Sequence, residues 1–123
     1  VGVDMTRRAA RIDNNQTEIR AFMEAAGWRT VSTAGVHNGH PDIMVAKHLV
    51  NVVVEIKDGK SGKLRESQIE WHQQWAGAVI VIRSLEDAKR LCDNMLPIAG
   101  ELESLMAQLL DGLEVVEDLE GAV

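Results

Sequence analysis

The segment from Val50 to Ile56 constrains this chain more than any other. Five of its seven residues are Val or Ile, and Val52, Val53 and Val54 follow one another without a polar break. An unbroken β-branched run makes a strand that is apolar on both faces, and such a strand is stable only when both faces are covered. A second strand-like segment, 42–46, lies just upstream, apolar after the Asp42 at its head. Two buried strands in succession call for a central sheet with helices packed against it.

The rest of the chain supplies those helices. Either Asn15-x-x-Glu18 or Asp13-x-x-Gln16 can open a first helix as a capping box. Ile12, Ile19, Phe22, Met23 and Ala26 recur at helical spacing, and Gly27 stands in the C-terminal cap position. A short strand follows over 28–31, then a loop over 32–41 carrying Gly35, Asn38 and Gly39. Residues 58–63 read as a polar, basic turn. Ser67-x-x-Glu70 predicts the start of a second helix bearing Ile69, Trp71, His72 and Trp75, with Gly77 ending it. A fourth strand is expected over 79–82. Ser84-x-x-Asp87 caps a third helix reaching Leu91 or Met95, which Pro97 breaks. Residues 101–110 predict a fourth helix with Leu102, Leu105, Met106 and Leu109 on one face. The order α, β, β, β, α, β, α, α contains one β–α–β unit, whose crossover is right-handed. The expected class is α/β, a mixed sheet flanked by helices.

At 123 residues the chain suffices for one domain with one core. No apolar run approaches the ~18 residues of a membrane span, and the first residues lack the layout of a signal peptide. Met5 is expected to be the natural start. The single Cys92 excludes an internal disulfide framework and a multi-cysteine zinc site, and fits a reducing, cytoplasmic setting. The net charge of −6 argues against nucleic acid only until it is divided. The first 90 residues hold all 13 Lys and Arg against 11 acids, a balance of +2; the remainder holds 8 acids and no base. A mildly basic body therefore carries an acidic tail, which reads either as a solvated helix face or as a mask or assembly element.

The charged residues that end the apolar runs carry the chemistry. Gly39-His40-Pro41-Asp42 precedes the first run, and Glu55-Ile56-Lys57 ends the second. Strand alternation sets Glu55 and Lys57 on one face and Ile56 on the other. Charges at the end of a buried run must be solvated or used. Phosphodiester hydrolysis needs an activated water and neutralised phosphate charge, and a hard divalent cation with oxygen ligands supplies both. Asp42 and Glu55 are candidate ligands, with the Ile56 carbonyl as a third. Lys57 is placed to orient or deprotonate the water, or to offset phosphate charge. The competing reading makes all three ordinary polar residues at strand ends.

These residues resemble the PD-(D/E)xK nuclease superfamily. The continuation from Asp58 through Lys60, Lys63, Arg65 and Gln68 to Trp71 is most similar to the small virus-type replication-repair nuclease (VRR-NUC) domains, over roughly residues 14–92. The resemblance implies a restriction-endonuclease-like αβββαβ core and nuclease activity dependent on Mg²⁺ or Mn²⁺. It carries over Asp42 and Glu55 as metal ligands and Lys57 as the catalytic lysine. Glu18 would reach the metal directly or through water, and Gln68 would support the site from the second helix. It further implies branched duplex DNA as partner, four-way junctions included, a homodimer, and a bacterial or phage-infected host cell. On this division 1–13 is an N-terminal arm, 14–96 the nuclease domain and 97–123 an acidic helix and tail.

Plainer readings stand beside these. Glu18 is also the expected partner in an Asn15 capping box, and Gln68 a first-turn helix residue. Lys60, Lys63 and Arg65 are either phosphate contacts or a solvated turn. His40 lines the site at most, and a zinc site from His37, His40 and Asp42 is disfavoured. Trp71 and Trp75, one turn apart, are expected in the core rather than as base-stacking platforms. Two other functions remain open: a sequence-specific restriction-type nuclease, and a DNA-binding or assembly module of the same fold that has lost its chemistry.

Overall fold

A computed structural model describes residues 15–33, 35–36, 39–59 and 62–116. The expected N-terminal arm, His37 and Lys60 fall outside the described residues. Helix α1 covers residues 15–25 and ends at Gly27, whose φ of 95° is the left-handed conformation that a C-terminal cap requires. Strand β1 (Arg29–Ser32) leads to β2 (Ile43–Lys47) and β3 (Val50–Ile56); helix α2 (Glu66–Gln74) precedes β4 (Val79–Ile82). Helix α3 (Leu85–Met95) passes through a 3₁₀ turn (Leu96–Ile98) into α4 (Ala99–Leu109). Pro97 therefore turns the chain from one helix into the next, and α4 starts two residues before the expected Glu101.

The sheet has the order β1-β2-β3-β4. β1, β2 and β3 form an antiparallel meander, and β4 joins β3 in parallel after the α2 crossover. The α/β class, the mixed sheet and the element order match the sequence expectation. The β2–β3 hairpin turns on His48 (φ 54°) and Leu49 (φ 67°), two side-chain-bearing residues in a conformation that favours Gly or Asn.

The two sheet faces differ. Val52, Val54 and Ile56 of β3 join Ile43, Val45 and Ile82 in a core closed by Ile19 and Met23 of α1, Ala88 and Met95 of α3, and Trp28. Fully burying a Val, Ile or Met side chain is worth about 1.5–3 kcal/mol each, so this face dominates folding. The opposite face carries Val53, Glu55 and Lys57 and is covered by α2, whose only buried residue is Gln68. Ser84 accepts the Asp87 N–H at the start of α3, as its spacing predicts. The last helix divides its apolar residues: Leu102 packs on the core, whereas Leu105 and Leu109 are exposed.

Candidate active site

The strand register brings the two acids together. Ile43 pairs with Val54 and Met44 with Val53. One step further out, Asp42 lies opposite Glu55. The Asp42–Glu55 pair falls at a position where antiparallel strands exchange no hydrogen bonds and their side chains come closest. The backbone of Asp42 is fixed from β1: its carbonyl accepts the Thr33 N–H at 2.8 Å, while Thr33 Oγ1 donates to the Pro41 carbonyl at 2.6 Å. Asp42 Oδ2 accepts the Ile56 N–H at 2.8 Å, which locks its side chain across the ladder.

The β2–β3 ladder stops there. The Ile56 N–H donates to the Asp42 side chain, while the Pro41 carbonyl is turned to Thr33 Oγ1 and the His40 ring.

Gln68 organises the rest. Its Nε2 donates to Glu55 Oε1 at 2.5 Å, and its Oε1 accepts from Lys57 Nζ at 3.0 Å and from the Arg65 N–H at 2.8 Å. Two donors on one side and an acceptor on the other fix the orientation of the amide. The two expectations for Gln68 are therefore joined in one side chain: the bond to Arg65 N caps the first turn of α2, and the other two reach the strand. This also moves the helix start from Ser67 to Glu66, with Arg65 as the capping residue. Lys57 Nζ lies 3.5 Å from Glu55 Oε1, on the same face as the alternation predicts.

Glu55 is almost wholly buried, and its Oε2 has no hydrogen-bond partner. Burial, reinforced by the Asp42 charge and opposed by Lys57, pushes its carboxyl up to about 7. Two apposed carboxylates, one with an orphaned oxygen, form an all-oxygen donor set in need of positive charge. That set fits a hard divalent cation better than zinc or copper. Among the described residues no three His, Cys, Asp or Glu cluster closely enough to form a metal site of side chains alone.

The remaining expected residues are placed as follows. Asn15 Nδ2 donates to the Lys57 carbonyl at 3.4 Å, so α1 abuts the site at Asn15. Glu18, one turn on and exposed, shares the Asn15 face but does not form a three-carboxylate cluster with Asp42 and Glu55. Lys63 and Arg65 are exposed beside the site. His40 is half-buried, its Nδ1 2.9 Å from the Pro41 carbonyl, and its ring lies 4.8 Å from that of Trp71.

Three further features adjoin these residues. Arg83, to which the sequence assigns no site role, donates from its guanidinium to the carbonyls of Gly59 at 3.0 Å and Gly62 at 2.6 Å, pinning both ends of the basic turn. His72, a turn beyond Gln68, has a buried Nε2 with no hydrogen-bond partner. Burial and the nearby Lys57 charge hold this imidazole below its usual range, hence neutral at pH 7. Trp71 and Trp75 are not core residues. They stack on each other at 5.2 Å, and Trp75 is 50% exposed, because α2 buries nothing but Gln68; the buried indole is Trp28.

No protein-family model and no curated protein matches this chain. A solved structure described as "VRR_NUC domain" does, with a TM-score of 0.57 over 67% of this chain and 94% of the other, at 24% identity. The fold is that of a VRR_NUC domain. No helix of the described residues is long and apolar enough to cross a membrane.

Proposed function

We propose that the protein is a Mg²⁺- or Mn²⁺-dependent DNA endonuclease, acting on branched DNA in replication, recombination or repair. The observation that carries this reading is the apposed pair Asp42 and Glu55, with an unpartnered buried oxygen on Glu55 and Lys57 held beside it by Gln68.

Asp42, Glu55 and the Ile56 carbonyl would hold the cation, and Glu18 would reach it directly or through water. A divalent ion held there would neutralise phosphate charge and acidify water. Lys57 gives one donor to Gln68 and has others left for the attacking water or a phosphate oxygen. Gln68 keeps the lysine and the glutamate at fixed separation, so neither relaxes as charge builds on the phosphate. Lys63, Arg65 and the adjoining Lys60 contact the flanking phosphates, with His40 at the rim. Water oxygen bonds to phosphorus, the bond from phosphorus to the 3′ oxygen breaks, and the products carry a 5′ phosphate and a 3′ hydroxyl. A homodimer supplies two such sites for symmetric cuts in a junction, in a bacterial or phage-infected cytoplasm.

The test is cleavage of an end-labelled four-way junction in Mg²⁺ by the wild type, Asp42→Ala and Lys57→Ala. Loss in both variants supports the proposal, and undiminished cleavage by both removes it. A linear duplex cut as readily at one sequence indicates a restriction-type enzyme. No metal binding with DNA present indicates a module without chemistry.

A further inference from the structure

The face of α2 that reaches the site does not end at Gln68. Trp71, His72 and Trp75 follow at three, four and seven residues, all on the same side of the helix. At 1.5 Å per residue, Trp75 lies about 10 Å from Gln68 along the axis. Trp71 bridges the two ends: its ring lies 4.8 Å from His40, next to Pro41-Asp42, and 5.2 Å from Trp75, tilted from the latter by 23°. An aromatic ledge therefore runs outward from the carboxylate pair.

The ledge is built and open at once. Any side chain on Gly77 would strike the Trp75 indole, whose Nε1 lies 2.6 Å from where a Cβ would stand. The absence of that side chain lets the indole pack over the backbone while Trp71 holds its other side. Trp75 nevertheless remains 50% exposed. An indole fixed in orientation with half its surface in water is preorganised for another flat group. The surroundings name that group. Lys57 and Arg65 stand at Gln68, the end of the helix from which the ledge starts, and Lys63 adjoins them in sequence; such cations suit phosphates, and every nucleobase offers a π-face.

We infer that the His40–Trp71–Trp75 ledge stacks an unpaired nucleobase beside the scissile phosphate, so that this protein selects nucleic acid with a gap, flap or open branch point over continuous duplex. This rests on the nuclease reading of the site and adds the feature of the substrate that it detects. Bases inside a duplex are already stacked on each other and offer the ledge no free face.

The test uses the full chain in EDTA, where binding is read without cleavage. The probes are a blunt duplex, the same duplex with a short gap, and an oligothymidylate strand. Trp28, enclosed in the core, contributes a constant background to the indole emission. Gapped duplex and single strand are expected to quench the emission, and blunt duplex is not. Trp75→Leu should weaken binding to both quenching probes about five- to hundredfold, the range of one base–aromatic stack. Its affinity for blunt duplex should stay within about twofold. Trp75→Phe, which keeps a smaller ring, should fall between wild type and Leu; it also serves if the Leu variant melts early. Absence of quenching, equal losses on gapped and blunt DNA, or unchanged affinity in both variants overturns the inference. A dimer seen by light scattering that depends on Trp75 and persists with DNA also overturns it, and assigns the ledge to a second copy. Cleavage lost in Lys57→Ala, alongside unchanged gap binding in Trp75→Leu, leaves the nuclease standing without the ledge.

Discussion

Replacing Glu55 by Gln should make the metal-free protein more stable at pH 8. The wild-type carboxyl titrates at about 7 instead of its ordinary 4.5 because it is buried and faces Asp42. At 1.36 kcal/mol per pH unit, ionised Glu55 opposes folding by at most about 3 kcal/mol. Below the ordinary value both folded and unfolded chains hold the proton, and the penalty is absent. Between there and about 7 the unfolded chain releases a proton that the folded chain keeps, so stability falls as pH rises. Above about 7 the full penalty is present. A Gln keeps the oxygen that accepts from Gln68 and presents Asp42 with an N–H donor instead of a like charge. Urea denaturation of both proteins in EDTA should show Glu55→Gln gaining roughly 1–3 kcal/mol at pH 8 and little at pH 4.5. Adding Mg²⁺ at pH 8 should stabilise the wild type and not the variant, because ligand binding to the folded state alone raises its stability. A pH-independent difference between the two proteins, or equal Mg²⁺ stabilisation of both, would refute the electrostatic account of this pair.

Three other outcomes are expected. Gln68→Leu strands Lys57 Nζ, the Arg65 N–H and Glu55, and should lose about 2–4 kcal/mol in chemical denaturation, with cleavage falling alongside. Leu49→Gly relieves a positive φ at an exposed hairpin position and should raise stability by about 1 kcal/mol, read from thermal melts. Arg83→Ala releases the carbonyls of Gly59 and Gly62; hydrogen exchange across the turn should accelerate, and DNA affinity should fall while overall stability drops by about 1 kcal/mol.

The parts of the fold legible in the sequence are those written in local periodicity. The Val-rich run of β3, the cap at Ser84 and Gly27 each declare an element within a few residues. The apposition of Asp42 and Glu55 was legible only as two separate strand ends; the register that sets them opposite each other is a pairing between strands. The two readings of Gln68 competed because a first-turn glutamine and a site glutamine look alike in sequence, and here one amide does both. The tryptophans misled for a different reason. Large aromatic residues at helical spacing normally mark a buried face, but α2 spends its inward face on a polar contact, which leaves Trp71 half-buried and Trp75 exposed. Arg83 left no local trace, since its partners lie more than twenty residues away.

Asp42 shows how a sheet can be ended by a side chain. Its Oδ2 takes the Ile56 N–H, while the backbone carbonyl before it is turned to Thr33 Oγ1. Asp42→Asn would keep an oxygen for that N–H and remove the charge that faces Glu55. Such a variant should fold at least as well and bind Mg²⁺ more weakly, which denaturation with and without the ion would read. The same carboxylate is the last stitch of the seam and the first charge beyond it.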